Sequence, residues 1–145
     1  MTLEDLNRAL VDALGAGKIG TPVHLRVHVE LPEGDAEPGG IVEAVMVLAR
    51  TAFAAEAATV TARRDDARTQ WNLLFGHAGG QSALVTINRG CSAIPRVRLL
   101  VVGNHGVVRL EGGELFAGFA ATQPLRPAWV SRIDESIAGG NTVPL

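Results

Sequence analysis

The sequence predicts an α+β domain with a largely antiparallel sheet, and three observations carry that prediction. Short alternating apolar and polar segments punctuated by Gly-rich turns run from Thr59 to Leu110, the spacing of a strand meander. Val23–Glu30 alternates without interruption, as a half-buried strand does. Ile41–Ala55 is apolar on nearly every side, which suits a helix buried against a sheet.

Taken in order, the chain opens with Thr2 three residues before Asp5 and with Leu3, Leu6, Leu10 and Leu14 on one helical stripe. This is a capped amphipathic helix stopped by Gly15 and Gly17. The string Gly15-Ala16-Gly17-Lys18-Ile19-Gly20 matches the dinucleotide fingerprint letter for letter. That fingerprint must follow a strand and open a helix to place pyrophosphate on the helix N-terminus. Here it ends a helix and opens a strand, so it reads as a helix stop.

In Val23–Glu30, Val23, Leu25, Val27 and Val29 take one face and His24, Arg26, His28 and Glu30 the other. His24 and His28 lie about 13 Å apart along a strand, too far to share a metal whose ligand distances are near 2 Å. The face reads as solvated or turned toward another chain. Leu31–Gly40 is a Pro- and Gly-rich loop. In the buried helix Glu43 and Arg50, seven residues apart, share one face.

Strands over 69–75, 81–88, 96–102 and 107–110 are expected to form a consecutive antiparallel meander. Trp71, Leu73 and Phe75, then Ala83, Val85 and Ile87, face inward, and Gly79-Gly80 turns the first pair. Arg96–Leu115 reads as a strand pair in the middle of the sheet. Arg96, Arg98, Leu100 and Val102 take one side of its first strand, and Val97, Leu99 and Val101 the other. Pro127 starts a last helix carrying Trp129, Ile133 and Ile137 and stopped by Gly139-Gly140. The final NTVPL reads as irregular.

Composition narrows the function. At 145 residues with formal charge −2 and sequence pI near 6.1, the chain is one domain, 1–145, with no electrostatic footprint for nucleic acid or a membrane. Cys91 is the only cysteine and Lys18 the only lysine, so no disulfide framework exists and a cytoplasmic setting is expected. Cys91 has no neighbouring base in sequence to activate it. His77 and His105 stand in Gly-bounded turns, where side chains are reachable.

Three segments then carry a family resemblance: GKIGTPVHLRV (Gly17–Val27), GGIVEAVMVLARTAF (Gly39–Phe53) and RLLVVGNHGVVRLEGGEL (Arg98–Leu115), with WVSRIDESIAGG (Trp129–Gly140) in support. The chain resembles the C-terminal domain of the Gfo/Idh/MocA oxidoreductase superfamily. The resemblance implies a large open mixed sheet with helices on one face and the other face available for oligomerisation. It also implies that hydride chemistry belongs to a Rossmann domain and a Glu-Lys-Pro lysine, both lacking here, with the chain beginning where that domain would end. The family's D-x-G-x-H-x-x-D helix pattern meets Glu43-Ala44-Val45-Met46-Val47-Leu48-Ala49-Arg50. Glu43 can replace the first acid, but the His position is apolar and Arg50 replaces the last acid, and an apolar side chain relays no proton. The chain also ends short of the family's final helix.

The expectation is therefore a stand-alone, non-catalytic module with no catalytic residue, metal or cofactor of its own. It would pair as a homodimer through a sheet face bearing His24, Arg26, His28 and Glu30. The alternative is the substrate-binding subunit of a split NAD(P)-dependent oxidoreductase whose Rossmann domain is another chain, with Glu43, Arg50, Trp71 and His105 lining the cleft. A third possibility is an independent enzyme or small-ligand sensor using His77 or His105.

Overall fold

The computed structural model of the chain describes residues 1–34, 38–119 and 125–145; residues 35–37, the centre of the expected Leu31–Gly40 loop, lie outside the described residues. Helix α1 (Leu3–Gly15) starts on a complete capping box. Asp5 N–H donates to Thr2 Oγ1 at 3.1 Å and Thr2 N–H to Asp5 Oδ2 at 2.9 Å, so two otherwise orphaned donors are satisfied. Its stripe is anchored by Leu6 and Leu10, both fully buried.

Strand β1 (Pro22–Leu31) follows, then α2 (Gly39–Phe53), nine of whose 15 residues are buried. This helix is the centre of the core, touching α1, β1 and β4 (Ser82–Arg89). The remaining strands are β2 (Ala57–Arg64), β3 (Gln70–His77), β5 (Arg96–Gly103) and β6 (Val107–Gly112). A short helix α3 (Phe116–Phe119), the helix α4 (Pro127–Gly139) and a two-residue strand β7 (Val143–Pro144) complete the chain. The seven strands form one open sheet in the order β6-β5-β1-β4-β3-β2-β7. All neighbours are antiparallel except β1 and β4, which run parallel.

That order corrects three sequence expectations. The meander over 69–75, 81–88, 96–102 and 107–110 is not continuous, because β1 inserts between β4 and β5. Both strand edges of that gap need a ladder partner, and β1, whose Leu25, Val27, Val29 and Leu31 are all fully buried, pairs with both. The pair in Arg96–Leu115 is correspondingly not central: β5 is interior, but β6 is an edge. The terminal NTVPL is not irregular, since Val143 pairs with Val60 and Pro144 with Thr59 along the edge of β2. Pro144 costs nothing there because an edge strand leaves one side without ladder bonds.

The Gly103–Gly106 turn clamps the β5–β6 hairpin to the α1–β1 connection. Asn104 N–H donates to Thr21 O at 3.1 Å, His105 N–H to Ile19 O at 2.9 Å, and Thr21 N–H to Asn104 Oδ1 at 2.9 Å. A Cβ on Gly103 would lie 2.0 Å from Ile19 O, so the close approach requires glycine. Two turn amides are thereby committed to backbone carbonyls, which makes this turn scaffold rather than an anion cradle.

Helix α4 is tied to β2 by Ser136, which is fully buried. Its hydroxyl donates to Asn141 O at 2.6 Å and accepts from Ala62 N–H at 2.8 Å. Among the described residues no helix is long and apolar enough to cross a membrane.

Candidate functional site on the open face of the sheet

Strand alternation sends one set of side chains under the helices and the other onto an uncovered face. The register lays that face out in rows. One row runs Glu111, Arg98, His28, Thr86, Asn72; the next runs Arg109, Leu100, Arg26, Leu84, Leu74. A third runs Val107, Val102, His24, Ser82, Gly76, and at the other end stand Arg96, Glu30, Asn88 and Gln70. Leu74 is 43% exposed and Val107 46%, so the face combines apolar patches with charge.

The four residues expected on this face are all there, and the structure shows how they are held. His24 Nδ1 lies 2.8 Å from Ser82 Oγ. His28 Nε2 lies 3.1 Å from Asn88 Nδ2 and 3.9 Å from Glu30 Oε1. An amide nitrogen only donates, so His28 accepts at Nε2 and is neutral in this arrangement. Partial burial holds both histidines below the usual imidazole range. The Arg26 guanidinium adds to this at His24, and Arg98 and Arg26 add to it at His28, where Glu30 pulls the other way. No group of three or more His, Cys, Asp or Glu side chains is placed to hold a metal among the described residues.

Beside these residues, between β1, β5 and β6, lies a depression of about 230 Å³ lined by Arg26, His28, Arg98, Leu100, Arg109 and Glu111. A second depression of about 280 Å³ along β5 and β6 shares Arg98 and Glu111 with it and adds Arg96. Alternation in the sequence places Arg26 and Arg98 on strand faces, but nothing in it marks Arg98 or Arg109 as functional. The signal present was arginine at alternate positions, Arg96 and Arg98, followed by Arg109 after a four-residue turn. Arg26 joins them only because β1 pairs with β5.

No family model and no curated protein matches the chain. Solved structures do. A myo-inositol dehydrogenase from Corynebacterium glutamicum superposes with TM-score 0.72 at 16% identity, over 96% of this chain and 61% of that one. A scyllo-inositol dehydrogenase from Lactobacillus casei, solved with NAD(H) and scyllo-inositol, gives 0.71 at 11% identity over 95% and 61%. A myo-inositol 2-dehydrogenase from Lactobacillus plantarum gives 0.72 at 14% identity over 96% and 61%. The fold is that of the Gfo/Idh/MocA C-terminal domain. The chain spans about 61% of the length of these structures.

On the helix side of the sheet, the four candidate cleft residues have separate partners. Glu43 sits in α2 with its side chain 14% exposed, Oε1 3.6 Å from Arg126 Nε; its Oε2 is buried without a hydrogen-bond partner among the described residues. Arg126 in turn lies over the Trp129 ring at 4.6 Å. Arg50 is exposed at the other end of α2 and pairs with Glu56 at 3.6 Å. Trp71 is a core residue, 8% exposed, with the Arg89 guanidinium 5.0 Å from its ring. His105 is exposed in the clamped turn. The expected sharing of a face by Glu43 and Arg50 thus gives two separate ion pairs.

The two turn histidines differ. His77 is not reachable as expected: it ends β3 at 7% exposure, edge-on to Phe53 with ring centroids 4.9 Å apart. Burial lowers its pKa, against opposing pulls from the Phe75 backbone and Glu56. Cys91 is an exposed free thiol.

Proposed function

We propose that this domain is a non-catalytic association and ligand-contact module whose open sheet face pairs with a second copy of the chain. The observation that carries the reading is the face itself. Leu74 and Leu84 are direct cross-strand partners, Leu100 lies in the same row beyond Arg26, and Val102 and Val107 are paired beside it, with no helix over them among the described residues. Six strands at about 4.8 Å and eight residues at about 3.3 Å give roughly 750 Å² of flat area, near the roughly 800 Å² per partner of a standard interface. A two-fold pairing is the commonest way to cover such a face.

Sedimentation equilibrium tests it. The wild-type chain is expected at dimer mass at micromolar concentration, and Leu74→Arg with Leu84→Arg at monomer mass with its folded spectrum retained. A strictly monomeric wild type would sink the reading, because the apolar rows would then be exposed in the free state.

A second reading is favoured by one observation, the unpartnered Glu43 Oε2 beside the Arg126–Trp129 stack. In it the helix side completes the substrate wall of an oxidoreductase whose nicotinamide-bearing Rossmann domain is another chain, acting on a polyol as the inositol dehydrogenases do. Activity would then appear only in the two-chain complex and fall with Glu43→Gln. A complex that turns over equally well with that variant argues against it.

A further inference from the structure

We propose that the depression between β1, β5 and β6 is a binding site for a small phosphorylated anion, held by Arg26, Arg98 and Arg109. The site is built from one chain and needs no second copy, although it stands on the β1–β5–β6 part of the face that a second copy would cover.

Register sets its geometry. Arg98 is the direct partner of His28 and of Glu111, and Leu100 is the direct partner of Arg26 and of Arg109. Arg98 is therefore diagonal to both other arginines, at about 7–8 Å, while Arg26 and Arg109 flank Leu100 two strands apart, at roughly 9–10 Å. Three long side chains rising from such a triangle can converge on one group above Leu100. Three guanidinium forks exceed what one carboxylate accepts, since a carboxylate takes one fork bidentately, whereas a phosphoryl group offers several charged oxygens around a tetrahedron.

The charges are also uncommitted. Arg26, Arg98 and Arg109 form no ion pair within 4.0 Å among the described residues, although Arg98 faces Glu111 directly across the hairpin. Arg98 and Glu111 both line the depression. Across the β1, β5 and β6 part of the face, Arg26, Arg96, Arg98 and Arg109 stand against only Glu30 and Glu111, in a chain of formal charge −2. Like charges held together without a counter-ion raise one another's energy, and a bound anion removes that cost. No Phe or Trp lies on this face, since Trp71 and Phe75 point into the core. The stacking platform that single-stranded nucleic acid uses is thus lacking, which favours a small phosphate over a polynucleotide.

Isothermal titration with inorganic pyrophosphate, against chloride at matched ionic strength, tests the assignment. The expected result is saturable binding of one anion per chain. Arg98→Gln and Arg109→Gln should each weaken it about tenfold to a hundredfold, the range for losing a charge-assisted hydrogen-bonding group. Arg98→Lys, which keeps the charge and loses the fork, should fall between. Arg63→Gln, whose side chain instead reaches Gly140 O at 3.4 Å, should bind as wild type does. These arginines are exposed, so circular dichroism should show every variant folded. Heat that does not saturate, equal affinity in wild type and Arg98→Gln, or tighter binding of a single-stranded oligonucleotide than of pyrophosphate would each overturn the proposal.

Discussion

The same strands present two faces that differ in almost every physical respect. In β1, Leu25, Val27 and Val29 are fully buried under the helices, while His24, Arg26 and His28 between them meet solvent or polar partners. In β5 the split repeats, with Val97, Leu99 and Val101 buried and Arg98 exposed. A one-residue register slip would exchange the two sets, so the buried face specifies where every residue of the open face stands. On the proposed reading, stability and recognition belong to opposite sides of one backbone. Substitutions on one side should be separable from the function of the other.

The sharpest way to break that division is to cut the covered face. Phe75→Ala removes a fully buried ring and should destabilise the domain by about 3–5 kcal/mol, read from urea unfolding. Next is Ser136→Ala, which leaves Ala62 N–H and Asn141 O without their partner and should cost about 1–3 kcal/mol. A loss no larger than that of an exposed serine would show that water replaces the hydroxyl there.

Acid acts on both faces by a smaller amount. His24, His28 and His77 all titrate below the ordinary imidazole value of about 6.5, so protonation favours the unfolded chain. Their contribution to stability is full above that pH and is lost as pH falls through the lower folded-state values. The melting temperature should be level above neutrality and decline on acidification. His28→Gln should flatten part of the decline, with Arg26, Arg98, Glu30 and Asn88 still around the position. The smallest effect on the stability of the single chain is expected from Leu74→Arg on the open face, within about 0.5 kcal/mol when read at concentrations where the chain is monomeric. A large loss there would mean the two faces are not separable.

Much of the architecture was legible in the sequence because it is written in local periodicity. The capping box at Thr2, the all-round apolar α2 and the alternating β1, β3 and β4 follow from patterns of 3.6 and 2 residues. The fingerprint-like Gly15–Gly20 lies between a helix and a strand, as its context indicates: α1 ends at Gly15 and β1 begins at Pro22. The resemblance drawn from Gly17–Val27, Gly39–Phe53 and Arg98–Leu115 led to the same fold as the solved structures. The parallel pairing of β1 with β4, nearly 60 residues away, was not legible, since a strand's pattern shows which face is buried and not which strand lies beside it. Nor was β7, two residues long with a proline, too short to show a period.

The candidate site divides the same way. That His24, Arg26, His28 and Glu30 share one face was determined by alternation alone, because successive side chains on any strand must point to opposite sides. That Glu43, Arg50, Trp71 and His105 have separate partners was decided only in three dimensions, by α4 bringing Arg126 to Glu43 and by the α1–β1 connection holding His105 in its turn. The arginine triangle belongs wholly to the tertiary structure. Arg26 is 72 positions from Arg98 and 83 from Arg109 in the chain, and only the insertion of β1 beside β5 sets the three around Leu100. Local sequence determines which way each side chain points; non-local pairing determines what it points toward.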